Sequence, residues 1–388
     1  MASIKSTFTN IAIILLSIVA ALVIAEIALH FTRIQYKYLY PLEPGGYLKY
    51  DAELGFDITP NFATSTHHFY DYSYPVWSNS LGCFDYEYDG SSPYIYLTGD
   101  SFAWGFTPLE DKWGKKIENN TGVRTLTCGV NAFGPRQEVI KARKTLSSLP
   151  HGPELIVLSY LGENDPYDDF IFPNFTSYKG YRVPSWTHCD AQTIISISPL
   201  TPTTTCNVPV QTYSFFQNVK FELAAHSVLY MVATRQFGLQ NILRDVLLRV
   251  MPSWGKNAGL LHDSQPTYEE GANDLTWEAH MQSFVALAQL AKQYNANVLV
   301  VIIPNKEMTR SASTSPEWPS EKLKPVLENL NIPYLDLTSE FRAQEKLPEQ
   351  SFFWDFDGHW NIAGNELAGT LISRYIIEHN LVSTSTPL

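Results

Sequence analysis

The stretch Tyr94-Ile95-Tyr96-Leu97-Thr98-Gly99-Asp100-Ser101-Phe102-Ala103-Trp104-Gly105 decides the fold. Tyr94–Leu97 alternates aromatic and aliphatic residues, as a short buried strand does. Gly99-Asp100-Ser101 then turns the chain, and Phe102 onward reads as the start of a helix. A serine at the carboxyl end of a parallel strand, opening a helix, stands where α/β sheets place their ligands. Backbone N–H groups at such a turn can hold an oxyanion. Alone, the G-D-S turn would read as a helix cap made by Asp100 or Ser101. Three further stretches point to the same site and favour the chemical reading.

Outward from this turn, strands and helices alternate. Val123–Cys128 reads as a second strand, Gly129–Gly134 as a turn and Gln137–Ser147 as a helix with Val139, Ile140 and Leu146 inward. Glu154–Tyr160 is a near-continuous apolar run, the pattern of a parallel strand buried on both faces. It ends in Leu161-Gly162-Glu163-Asn164-Asp165. A helix over Leu275–Tyr294, strands Val298–Ile303 and Tyr334–Leu337, a loop at Trp354–His359 and a helix over Ala363–Glu378 complete the series. Such alternation predicts a parallel sheet with helices on both faces.

Residues 167–273 break the rhythm and read as an insertion that forms a cap or substrate wall. Within it, Phe221–Val250 predicts an amphipathic helical region, with Leu239, Ile242, Leu243, Val246, Leu247 and Val250 on one side. Core packing is its ordinary explanation. Arg244 and Arg249 beside the stripe also allow it to lie against a membrane. Residues 36–90 read as a Tyr-, Pro- and Gly-rich lead-in, and the main α/β domain is expected over 91–388.

The amino terminus carries Ile11–Ala25 without a charge, and about 20 residues through Phe31 suffice to cross a bilayer. A signal anchor over residues 1–35 is expected, with a cleaved signal peptide as the competing reading. Cys189 and Cys206 bracket a polar Thr/Pro/Ser-rich loop and are expected to form a disulfide, with Cys83 and Cys128 as a second candidate pair. A disulfide requires an oxidising compartment and therefore puts the body of the chain outside the cytoplasm. No C-x-x-C or cysteine–histidine spacing suggests zinc. The net charge of −12, with no Lys/Arg cluster, argues against a nucleic-acid partner. The chain is 13% aromatic, which suits sugar-stacking surfaces as well as a core.

His359 lies in Asp355-Phe356-Asp357-Gly358-His359-Trp360-Asn361, just before the last helix. A nearby aspartate can accept from one imidazole nitrogen and leave the other facing a nucleophile, the orienter–base arrangement of a Ser-His-Asp triad. Spacing leaves Asp355 and Asp357 both open for that role. Asn164, at the end of a buried strand on the same sheet edge as Ser101, can donate to an oxyanion, although such an asparagine commonly caps or turns.

These stretches, in this order, resemble the SGNH (GDSL-type) hydrolase superfamily over roughly Trp77 to His379. Leu97–Ser101 is similar to its first block, which makes Ser101 the nucleophile and one oxyanion N–H. Thr127–Gly134 is similar to the second block, with Ala132 where the family has its oxyanion glycine. Gly162-Glu163-Asn164-Asp165 matches the third block and gives Asn164 the third oxyanion donor. The family's last block is usually Asp-x-x-His. Here position 356 is phenylalanine, and Asp357-x-His359 looks like the variant in the subgroup related to bacterial polysaccharide O-acetyltransferases, which favours Asp357. The resemblance implies a flavodoxin-like three-layer α/β/α fold and an ester hydrolase that needs no cofactor or metal. The expected function is a membrane-anchored, extracytoplasmic serine esterase. It would remove O-acyl groups, acetyl foremost, from a carbohydrate or cell-envelope polymer. An O-acetyltransferase and a lipid-ester hydrolase are the alternatives, and a degenerate membrane-tethered binding protein is the non-enzymatic one. Asn119-Asn120-Thr121 and Asn174-Phe175-Thr176 fit the glycosylation pattern.

Overall fold

The computed structural model describes residues 2–32, 34, 43–70, 72–185, 188–203, 205–235, 274–310, 320–345, 351–355 and 357–383. The expected stripe from Leu239 to Val250, with Arg244 and Arg249, lies outside the described residues. The chain divides into two compact units. One comprises Met1–Glu43, His67–Ser73 and Thr212–Gln265, and the other comprises the remainder.

The larger unit is built on a five-stranded sheet. We number its strands β1 (Tyr94–Thr98), β2 (Arg124–Thr127), β3 (Leu155–Leu161), β4 (Asn297–Ile303) and β5 (Tyr334–Asp336). All neighbouring pairs are parallel, and the spatial order is 2-1-3-4-5. That is the flavodoxin-like doubly wound order, whose ligand crevice opens at the switch point between β1 and β3. Every residue of β1 and β3 is buried. Side-chain alternation therefore feeds two separate cores. Tyr94, Tyr96, Ile156, Leu158 and Tyr160 pack against helices Pro135–Leu146, Asp274–Tyr294 and Ser320–Asn329. Ile95, Leu97, Leu155 and Val157 pack against helices Trp113–Thr121, Thr338–Gln344 and Ile362–Glu378 on the other face. The result is the expected three-layer α/β/α sandwich.

Part of the lead-in belongs to this unit. The antiparallel hairpin Leu48–Asp51/Gly55–Ile58 presents Asp57 to Lys141 at 2.7 Å, Glu53 to Arg143 at 2.5 Å and Asp51 to Lys144. A second hairpin, Phe175–Tyr178/Tyr181–Pro184, turns through Lys179 and Gly180, both at positive φ (52° and 81°). Two disulfides, Cys83–Cys128 and Cys189–Cys206, pair all four cysteines with Cα–Cα separations of 4.5 and 5.7 Å.

The smaller unit holds the helix Ala2–His30, of which Thr9–His30 is long and apolar enough to cross a bilayer. Its one acidic residue in that stretch, Glu26, accepts hydrogen bonds from the Val228 N–H (2.8 Å), the Leu229 N–H (3.0 Å) and the Ser227 hydroxyl (2.7 Å). It thereby caps the helix Val228–Arg235, as an acidic group at a helix N-terminus does. The helical region expected from Phe221 instead begins at Phe215, and it breaks at Ser227. Ser227 is extended (φ −103°, ψ 113°), and its hydroxyl accepts from Tyr230 N–H at 3.1 Å to start the second helix. Phe215 and Phe216 at the start of the first are 75% and 67% exposed.

Candidate active site

Ser101 and Asn164 stand at the carboxyl ends of β1 and β3, on either side of the switch point. The turn that carries Ser101 depends on Gly99. Its φ is +152°, and a Cβ there would lie 1.8 Å from the Ser159 hydroxyl. Asp100 caps the four-residue helix Ser101–Trp104 by accepting from Phe102 N–H at 2.9 Å. The capping role that competed with the chemical reading thus falls to Asp100, and the Ser101 side chain is left for other contacts. Lys112 closes the other end of this helix. Its ammonium donates to the Trp104 carbonyl and lies 3.7 Å from the centre of the Phe84 ring. Burial pushes its pKa well below the usual lysine range.

His359 Nε2 lies 2.8 Å from Ser101 Oγ, and its Nδ1 contacts Asp357 Oδ1. An ionised carboxylate only accepts, so Nδ1 carries the ring proton and Nε2 is left to accept from the serine hydroxyl. Asp357 Oδ1 also accepts from the His359 backbone N–H at 2.8 Å, which fixes that oxygen twice. Asp355 is exposed, and Asp357 is the carboxylate set against the imidazole. The loop is held from outside by Lys306. Its ammonium reaches the carbonyls of Trp354 (2.5 Å), Asp355 (3.3 Å) and Asp357 (3.4 Å). Asn361 then caps the last helix, its Oδ1 accepting from Gly364 N–H at 2.9 Å. Phe102 and Phe106 flank the imidazole with ring centres 5.0 and 4.5 Å away, and Ser101 is 6% exposed.

Asn164 precedes the helix Asp165–Phe170 but makes no side-chain cap. Its amide donates to Asp168 Oδ2 at 3.0 Å and, more weakly, to Asp100 Oδ2 at 3.3 Å. Ala132, where the resembled family has glycine, sits at φ +66° in the left-handed region. That conformation costs a non-glycine residue roughly 1–2 kcal/mol, so its surroundings must hold it. Gly129 supports the same loop, since a Cβ there would come within 2.5 Å of Ala103 Cβ and Trp104 N.

Below the site lie several buried carboxyl groups. Burial pushes Asp100 upward and Asp168 up to about 7. Glu138 and Asp165 are held well above the usual carboxylate range by burial and by neighbouring acids. Among the described residues no group of three His, Cys, Asp or Glu side chains could hold a metal ion. Asn119 is exposed, whereas Asn174 is buried with its amide hydrogen-bonded, so the second glycosylation pattern is closed in the folded chain.

Lys306, Lys112, Asp168 and Asn174 were not legible as site residues in the sequence. Lys306, Lys112 and Asn174 act on backbone carbonyls and Asp168 on the side chains of Asn164 and Asn174, and no motif spacing signals these contacts.

No protein-family model matches the chain, and no curated protein does. Among solved structures it aligns with the lipase/acylhydrolase from Enterococcus faecalis at 12% identity and TM-score 0.36, over 76% of this chain and 100% of that one. A member of the lipolytic protein G-D-S-L family from Veillonella parvula DSM 2008 aligns at 12% and 0.36, over 74% and 97%. The acetyl xylan esterase AlAXEase aligns at 10% and 0.36, over 73% and 99%.

Proposed function

We propose that the chain is a membrane-anchored, extracytoplasmic serine esterase of SGNH type. It removes O-acyl groups, acetyl foremost, from a carbohydrate or cell-envelope substrate. The observation that carries this reading is the hydrogen-bonded series Ser101–His359–Asp357 at the switch point of the sheet. His359 Nε2 takes the Ser101 proton as the oxygen attacks the ester carbonyl. The backbone N–H groups of Ser101 and Ala132 and one N–H of the Asn164 amide, released from its weaker contact with Asp100 while Asp168 holds the other, receive the developing oxyanion. Collapse of the tetrahedral intermediate expels the alcohol, which takes the proton from His359. Water then attacks the acyl-serine with His359 again as base, and acid leaves.

The reading divides the chain into an anchor over 1–35, a lead-in over 36–90 and a catalytic domain over 91–388 with its insertion at 167–273. The apolar helix Thr9–His30 supports the anchor. The two disulfides support an oxidising, extracytoplasmic location. The low exposure of Ser101 beside Phe102 and Phe106 favours, as a second reading, transfer of the acyl group to a sugar hydroxyl in place of water. Full-length protein in detergent, assayed on a chromogenic acetyl ester beside Ser101→Ala, tests the esterase. Turnover by the wild type alone supports it. Equal activity of the two proteins refutes it. If the wild type turns over only when an oligosaccharide is added, releasing the chromophore as the oligosaccharide becomes acetylated, the transferase reading replaces it.

A further inference from the structure

We propose that Asn174 and the hairpin it opens are the positioning element of the oxyanion hole, setting two of its three donors in register. The inference rests on the esterase reading above. Asn174 is 3% exposed, and its amide donates to Asp168 Oδ1 at 2.8 Å and to the Ala132 carbonyl at 3.2 Å. The other oxygen of Asp168 accepts from the Asn164 amide at 3.0 Å. One side chain thus ties the loop of the second block to the asparagine of the third. Eight residues on, Arg182 Nη1 donates to the Asn131 carbonyl at 3.0 Å. That carbonyl and the Ala132 N–H belong to one rigid peptide plane, so Arg182 fixes the direction of the N–H and Asn174 fixes the plane that follows. Both residues belong to the segment Asn174–Pro184. The hairpin's tight turn and its docking make it a stiff strut. Thr176 Oγ1 donates to the Gly55 carbonyl at 3.0 Å, and the Arg182 guanidinium lies 5.1 Å from the Phe175 ring centre. A strut is needed here because Ala132 occupies a left-handed conformation that a glycine would adopt without constraint. This part of the insertion therefore serves the oxyanion loop from below.

The test compares an acetyl oxoester with the matching thionoester, whose sulfur is a weak hydrogen-bond acceptor and gains little from oxyanion donors. Full-length wild type, Asn174→Leu, Arg182→Met and Asn164→Ala are measured on both, with thermal melts beside them. For Asn174→Leu, kcat on the oxoester falls about 10- to 100-fold with KM nearly unchanged, and thionoester turnover falls far less, so the oxoester preference collapses. A merely structural defect lowers both substrates together, and that result, or an unchanged preference, overturns the proposal. If Asn174→Leu does not fold, Arg182→Met decides by the same criterion. An inactive wild type, or an unchanged preference in Asn164→Ala, refutes the oxyanion reading itself rather than the role of Asn174.

Discussion

Replacing Asp357 by asparagine separates the charge of the triad from its geometry. In many triads an asparagine can turn its NH₂ toward the imidazole and force the wrong tautomer, which costs about 10⁴ in rate. Here Asp357 Oδ1 also accepts from the His359 backbone N–H at 2.8 Å. An asparagine that turned its NH₂ inward would set two donors against each other, so the carbonyl oxygen stays where Oδ1 is and the tautomer survives. What is lost is the negative charge beside the imidazolium formed during attack. For unit charges about 4 Å apart at an effective dielectric near 20 this is about 4 kcal/mol, or about 10³ in rate. Asp357 is only 12% exposed, so screening leaves most of that in place. The expected result on a chromogenic acetyl ester is a fall in kcat of about 10³ with KM unchanged. Asp355→Asn, on an exposed side chain, should stay within about twofold of wild type. A large loss in Asp355→Asn with Asp357→Asn near wild type would refute the assignment, and a loss near 10⁴ in Asp357→Asn would refute the pinned-oxygen argument.

Lys306→Met removes the ammonium that gathers the carbonyls of Trp354, Asp355 and Asp357. Activity should fall about tenfold or more with little change in melting temperature, because the loop and not the core is loosened; an unaltered kcat contradicts this. Burial and the charges of Asp100, Asp169 and Asp168 hold the pKa of Glu138 well above the usual carboxylate range, and neither of its oxygens finds a partner among the described residues. Its folded pKa lies above its unfolded value. Stability is therefore lost as pH rises from the unfolded carboxylate pKa, about 4.3, toward the folded one, by up to about 1.4 kcal/mol per pH unit. Glu138→Gln removes that slope, so urea midpoints of variant and wild type should diverge in the variant's favour as pH rises above the unfolded carboxylate value; parallel profiles would show that Glu138 does not titrate as inferred. Gly99→Ala sets a methyl 1.8 Å from the Ser159 hydroxyl at a φ of +152°. It should abolish soluble expression or lower the melting temperature by well over 10 °C, for a cost of several kcal/mol.

The layers of the fold were legible because their signals are local. The apolar run read as Glu154–Tyr160 is the strand Leu155–Leu161, and the periodic stretch read as Ala363–Glu378 is the helix Ile362–Glu378. Burial of β3 on both faces needs a continuous hydrophobic run, and a sequence displays that directly. Ser101, Asn164 and His359 were legible because each sits at a strand end or helix start with a motif around it. The choice between Asp355 and Asp357 turned on a loop conformation that spacing does not carry. The hairpin over Phe175–Pro184 went unread because its turn, Lys179-Gly180, lacks the Asn-Gly or Asp-Gly pair that marks a two-residue loop. The break at Ser227 escaped for a related reason, since it is completed by Glu26, some 200 residues earlier in the chain.

On the proposed function, Ser101 carries the acyl group between donor and acceptor. Full-length protein, mixed with an acetyl ester and quenched in acid within one turnover, can be digested and its peptides weighed. The account predicts an acetyl group on Ser101 in the wild type and none in Ser101→Ala or His359→Ala. Rapid ester turnover with the group on another residue, or undiminished turnover by Ser101→Ala, would contradict it.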